Sequence, residues 1–83
     1  MNKYLIIIEK SKTGYSAYSP DVDGCVAVGR TIEECKASME EALKYHIELM
    51  IEMGYEVPEP TSRNADFVKV DYKKPKKKEL SLI

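Results

Sequence analysis

The chain has 83 residues, of which 43% are hydrophobic and 33% charged, with a formal net charge of −1. That length makes one domain with a thin core, for which support from a second copy or a partner is expected. No apolar run approaches the roughly 20 residues that cross a bilayer, and the run after Lys3 is too short for a signal-peptide core, so a cytoplasmic protein without membrane contact is expected.

The small net charge hides an asymmetry. Residues 1–68 carry seven Lys/Arg against twelve Asp/Glu, whereas residues 69–83 carry six Lys against Asp71 and Glu79. An acidic body suits a basic partner and repels nucleic acid, and only the basic end has the charge to touch phosphate. Cys25 and Cys35 stand in apolar contexts and read as small buried hydrophobes. With His46 the only histidine, no Cys/His set has zinc-ligand spacing, and no metal or cofactor is expected.

In chain order, Tyr4-Leu5-Ile6-Ile7-Ile8 is apolar at every position, the pattern of a strand covered on both faces. Ser11-Lys12-Thr13-Gly14 is a turn, and residues 15–19 resume extended character, which predicts an antiparallel hairpin. Pro20-Asp21-Val22-Asp23-Gly24 carries turn chemistry, and Cys25-Val26-Ala27-Val28 is a third short strand ended by Gly29. Thr31-Ile32-Glu33-Glu34 matches a capping box. Apolar residues then recur at Ile32, Cys35, Met39, Ala42, Leu43, His46 or Ile47, Met50 and Met53, which predicts one amphipathic helix stopped by Gly54.

Pro58 and Pro60 make the next stretch a loop, and Asp66-Phe67-Val68-Lys69-Val70 reads as a fourth strand. A strand-helix-strand connection is right-handed in nearly all cases, which places this strand parallel to the first. The expected architecture is α+β, β-β-β-α-β, a four-stranded mixed sheet in the order 3-2-1-4 with one long helix on one face. The domain is expected to span residues 1–71, with residues 72–83 as a basic tail with an apolar end.

One helix covers one face of such a sheet, so the apolar first strand needs a second cover. A second copy is the expected one, in a dimer or tetramer, with Ile6 and Ile8 at the contact and Leu80, Leu82 and Ile83 as an apolar hook.

The run P-D-V-D-G-C-V-A-V-G-R-T-I-E-E-C, followed by M-E-E-A-L-K-Y-H-I-E and G-Y-E-V-P-E-P, resembles the HicB family of bacterial antitoxins. The resemblance covers about residues 4–60. It departs from the family's pattern at Arg30, usually acidic, and at Cys35, usually Ala. It implies a partial ribonuclease-H-like fold and a role in binding and masking HicA, a small basic toxin that cleaves RNA. Many family members carry a DNA-binding domain at the C-terminus. Only about a dozen residues follow the expected fourth strand here, too few for one, so operator binding is not expected.

Several features invite sharper readings. Glu9, Asp21, Asp23 and Glu34 suggest remnants of a two-metal nuclease site, since phosphodiester hydrolysis needs clustered carboxylates. Turn and cap chemistry account for the last three more simply, and the centre of the first strand is all Ile, so no enzyme is expected. His46 lies on or beside the apolar stripe with no nucleophile at a suggestive position. The expected partner contacts are Asp21, Asp23, Arg30, Glu33 and Glu34, because steering toward a basic toxin needs clustered negative charge. Lys73, Lys74, Lys76, Lys77 and Lys78 are the possible nucleic-acid contacts. They would serve the alternative role, an orphan oligomeric regulator or RNA-contacting module without a toxin partner.

Overall fold

The Ser11-to-Gly14 turn closes the first hairpin, with the Ser11 N–H donating to the Gly14 carbonyl at 2.8 Å. It joins β1 (Ile7–Lys10) to β2 (Tyr15–Ser19), and the chain continues through β3 (Val22–Gly29) into α1 (Ile32–Glu52). The three strands form one antiparallel sheet in the order β1-β2-β3. These elements come from a computed structural model that describes residues 2–74. The first strand begins later than its apolar run suggests and reaches Lys10, while residues 4–6 lie outside the ladder. All five residues of the apolar run are only half-buried.

Turn chemistry before β3 is narrower than the sequence implies. Only Pro20 and Asp21 form the turn, and Val22, Asp23 and Gly24 already belong to the strand. The register explains this: Tyr18 pairs with Val26 but Ser19 pairs with Val22, so β3 carries a bulge through Asp23 and Gly24. Gly24 has φ +76°, the left-handed conformation that glycine adopts without steric cost. The bulge resets the strand's alternation, so Val22 and Cys25, three residues apart, are both buried in the core. In a regular strand they would point to opposite faces.

α1 begins where the capping residues place it. The Glu34 N–H donates to Thr31 Oγ1 at 3.1 Å. The helix ends in a Schellman pattern, with the Tyr55 N–H on the Met50 carbonyl at 2.8 Å and the Gly54 N–H on the Ile51 carbonyl at 3.1 Å. Gly54 has φ +81°. At 21 residues the helix is about 31 Å long, and it packs mainly over β3, less over β2 and least over β1. A Cβ on Gly29 would run into the backbone of Cys35, so this glycine lets the strand end pass directly beneath the helix start. The core is Ala17, Val22, Cys25, Cys35, Met39 and Leu43, with Tyr4, Ile6, Ile8, Tyr15, Ala27 and Ala42 packed against it. Both cysteines are free and buried, and burial pushes the Cys25 thiol above its ordinary pKa.

The fourth strand does not form within the described residues, where the sheet has three strands. Residues 66–70 are exposed and outside any ladder. The path of the preceding loop supplies the reason. Tyr4 Oη donates to the Pro58 carbonyl at 2.6 Å, and by Thr61 and Ser62 the chain is bonded to Asp21. Tyr4 leads into β1 and Asp21 sits in the β2–β3 turn, so the loop crosses that end of the sheet away from the open edge of β1. A strand parallel to β1 would have to begin beside Tyr4.

Cross-strand pairing defines the two faces. Ile8, Ala17 and Ala27 are partners on the face beneath α1, and Ile7, Tyr18 and Val26 are partners on the open face. Tyr18, Val26 and Val28 are exposed there. Ile6 and Ile8, expected at a contact between copies, pack against the core on the helix side of the sheet and not on its open face. The alternation that begins at Ile7 decides this, and the open face falls to Ile7, Tyr18, Val26 and Val28. Leu80, Leu82 and Ile83 lie outside the described residues.

Candidate partner-binding surface

The five residues expected to meet a partner do not share one site. Asp21 and Asp23 stand at the start of β3, whereas Arg30, Glu33 and Glu34 follow its end. Strand geometry separates the two groups by about 20 Å.

At the first end, Asp21 is committed to the fold. Its Oδ1 accepts from Thr61 Oγ1 at 3.0 Å and from Ser62 Oγ at 3.1 Å, and its Oδ2 accepts from the Ser62 N–H at 2.9 Å. The Ser62 backbone bond, assisted by the two hydroxyls, holds the carboxyl below its ordinary value of 3.8 against the opposing effect of burial. Asp21 therefore anchors the loop that follows the helix. Asp23, on the bulge, is exposed.

At the other end, Arg30 and Glu34 border a shallow depression of about 450 Å³ that Thr13, Gly14, Tyr15 and Val28 also line. Glu33 and Glu34 are exposed in the first turn of α1. They are stabilising there because the helix N-terminus carries partial positive charge. The Thr31 half of the capping box is present.

Sequence reasoning missed a larger feature on the same helix. α1 carries six glutamates and two lysines. At about 3.6 residues per turn, Glu34, Glu41, Tyr45, Glu48, Leu49 and Glu52 fall on one flank, and Lys36 and Lys44, with Glu33 and Glu40, on the other. Tyr45 is 70% exposed and Leu49 39%. The acidic flank thus holds two exposed apolar side chains at i, i+4 spacing inside a rim of four carboxylates. The signal was in the sequence as a second apolar pair beside the core stripe, masked because the first stripe already satisfied the amphipathic pattern.

Other candidates resolve differently. His46 is half-buried on α1, and among the described residues no group of three or more His, Cys, Asp or Glu is placed to hold a metal ion. No helix among them is long and apolar enough to cross a membrane. Lys73 and Lys74 are exposed; Lys76, Lys77 and Lys78 lie outside the described residues.

Comparison with known proteins gives this surface a context. The model of the HicB-like antitoxin family of bacterial toxin-antitoxin systems matches residues 4–77. Over 55 residues the chain is 44% identical to an uncharacterized 14.9 kDa protein from the rep-hol intergenic region of Haemophilus phage HP1, covering 66% of this chain and 41% of that protein. Over 41 residues it is 37% identical to a UPF0150 protein of Helicobacter pylori, covering 49% of this chain and 57% of that one. The chain therefore spans about half the length of these relatives. Among solved structures, a chain of a HicA3 and HicB3 toxin-antitoxin complex is similar at TM-score 0.65 and 37% identity, covering 72% of this chain and 70% of that one. The crystal structure of antitoxin HicB3 is similar at TM-score 0.57 and 23% identity, covering 95% of this chain and 78% of that one, a likeness of fold. The family match runs through the sheet, the helix and the loop tied to Asp21, and on it the chain belongs to the HicB-like antitoxin family of bacterial toxin-antitoxin systems.

Proposed function

We propose that this chain is the antitoxin of a type II toxin-antitoxin pair and neutralises a small basic HicA-like ribonuclease by binding it. The observation that carries the proposal is the acidic flank of α1, where Glu34, Glu41, Glu48 and Glu52 surround exposed Tyr45 and Leu49. An exposed aromatic and an aliphatic side chain supply anchors that lose water on binding. The surrounding carboxylates raise the encounter rate with a basic protein and fix its register. The similarity to a chain of a HicA3 and HicB3 complex supports a partner of that kind.

Arg30, Glu33 and Glu34 extend the surface at the start of the helix, and Asp23 stands apart from it. Inhibition by binding needs no acid-base pair, so the reading is non-enzymatic. It places the protein in the cytoplasm, where a ribonuclease finds its substrate, and its assembly is a homo-oligomer. The ribonuclease-H-like description of the fold belongs with this proposal. Co-expression with an adjacent small basic reading frame tests the reading. A co-purifying complex and rescued growth are expected; separate elution and no rescue would refute it.

A further inference from the structure

The place that the sequence assigns to a fourth strand is open, and the segment written for that place lies outside it. Among the described residues the outer edge of β1 has no strand partner, and beside the segment that leads into β1 runs a groove of about 370 Å³ lined by Tyr4, Ile6, Leu43 and Ile47, with Lys36, Glu40 and Lys44 in its walls. These two lysines are the only Lys or Arg residues of α1, and Glu40 lies between them in sequence.

Residues 66–72 have the complementary pattern. In an extended chain Val68, Val70 and Tyr72 share one side and Phe67, Lys69 and Asp71 the other. Val68 is 84% exposed, Val70 67%, Tyr72 70% and Phe67 97%, which is unusual for a run of apolar side chains in a stable monomer. Asp66, on the side of Val68 and Val70, is opposite in charge to Lys36 and Lys44. The bonds from Thr61 and Ser62 to Asp21 direct the segment away from its own β1, and the molecule extends 56 Å along its long axis against 28 and 24 Å across it.

We propose that residues 66–72 of one copy of this chain form the fourth strand of a second copy, reciprocally, pairing with the free edge of β1. Val68 and Val70 enter the groove between Ile6 and Ile47, Asp66 on the same side lies near Lys36 and Lys44, and Phe67 reaches the open face beside Ile7 and Tyr18, with Asp71 on that face too. Backbone pairing satisfies the edge of β1, which in one chain is left to water. Aromatic side chains bury about 150–250 Å² each, so two strands with two receiving grooves reach on the order of 1,600 Å², the size of a standard stable interface. The exchange is independent of what the acidic flank binds, because it uses the opposite flank of α1.

The test needs only the full chain. Ile47→Cys and Val70→Cys are placed on separately tagged copies, which are mixed and oxidised, with the wild type, whose two thiols are buried, as background. A disulfide between the tagged copies is expected, together with a solution mass for the wild type of twice the chain or a higher even multiple. Val68→Asp with Val70→Asp, at positions exposed in a single chain, should retain the helical circular dichroism and weaken self-association by about tenfold or more. If a single chain carrying both Ile47→Cys and Val70→Cys closes the bond within itself and the separately tagged copies do not cross-link, the strand belongs to its own sheet and the proposal is overturned. A single-chain mass with no bond between copies overturns it as well, and the homo-oligomeric assembly with it; neither result touches inhibition of a toxin by binding, since no toxin is present.

Discussion

Asp21 is the residue on which the path of the chain after the helix depends. Its carboxylate accepts three hydrogen bonds from Thr61 and Ser62, and the folded pKa lies below the ordinary 3.8. A depressed carboxyl pKa contributes stability that is fully present above the unfolded value and is lost as pH falls through the folded value. The Ser62 amide is therefore expected to be protected from hydrogen exchange at neutral pH and to lose that protection in acid below the ordinary carboxyl value. In Asp21→Asn the protection should be weakened at all pH values; equal protection in the variant would show that the anchor lies elsewhere.

Two further residues carry predictions of opposite sign. Ser19 is buried and its hydroxyl has no hydrogen-bond partner among the described residues. An unsatisfied buried hydroxyl costs on the order of 1 kcal/mol, so Ser19→Ala should be neutral or stabilising in thermal unfolding. Gly29→Ala should cost about 2 kcal/mol or more, because the added methyl meets the Cys35 backbone, which has no rotamer to yield. At this scale the sequence was partly legible. Thr31 and Gly54 announced the ends of the helix, because capping is local. Gly24 read as a turn because a bulge and a turn ask the same of a glycine, and only the β2 register separates them.

The helix is the element that organises both the core and the surface. Met39 is fully buried on it, and Met39→Ala should cost about 2–5 kcal/mol in chemical unfolding. Thr31→Ala, which removes the cap, should cost about 1 kcal/mol. Substitutions on the acidic flank separate stability from binding. Glu41→Lys with Glu48→Lys should leave the unfolding midpoint nearly unchanged and slow association with a basic toxin about tenfold at low salt, with the difference shrinking as salt rises. Unchanged association in surface plasmon resonance would remove this flank from the interface. Three strands and the helix were legible from turn residues and periodicity. The fourth segment was legible as a strand pattern, but its pairing was not, because the anchor at Asp21 joins residues 40 positions apart. Local pattern carries no record of such a contact.

The whole molecule has six buried hydrophobic residues in its core among the described residues and leaves apolar side chains exposed on the sheet, the helix and the last described segment. A chain so built has surfaces to cover. Its charge differs between them, with both lysines of α1 and Glu40 beside the groove at Tyr4 and Ile6, and four glutamates around Tyr45 and Leu49. Family membership was legible in the order of Asp21, Gly24, Gly29, Thr31 and Glu34, a record of the scaffold; the binding flank lay outside that motif and emerged only when the helix faces were resolved.

The central claim is inhibition by binding, and the most direct measurement is RNA cleavage by a purified HicA-like toxin from the same locus, titrated with this protein. Cleavage should fall linearly and end at a fixed stoichiometric ratio, with both proteins eluting together in size-exclusion chromatography. Undiminished cleavage in a large excess of the protein, with the two eluting apart, would contradict the account.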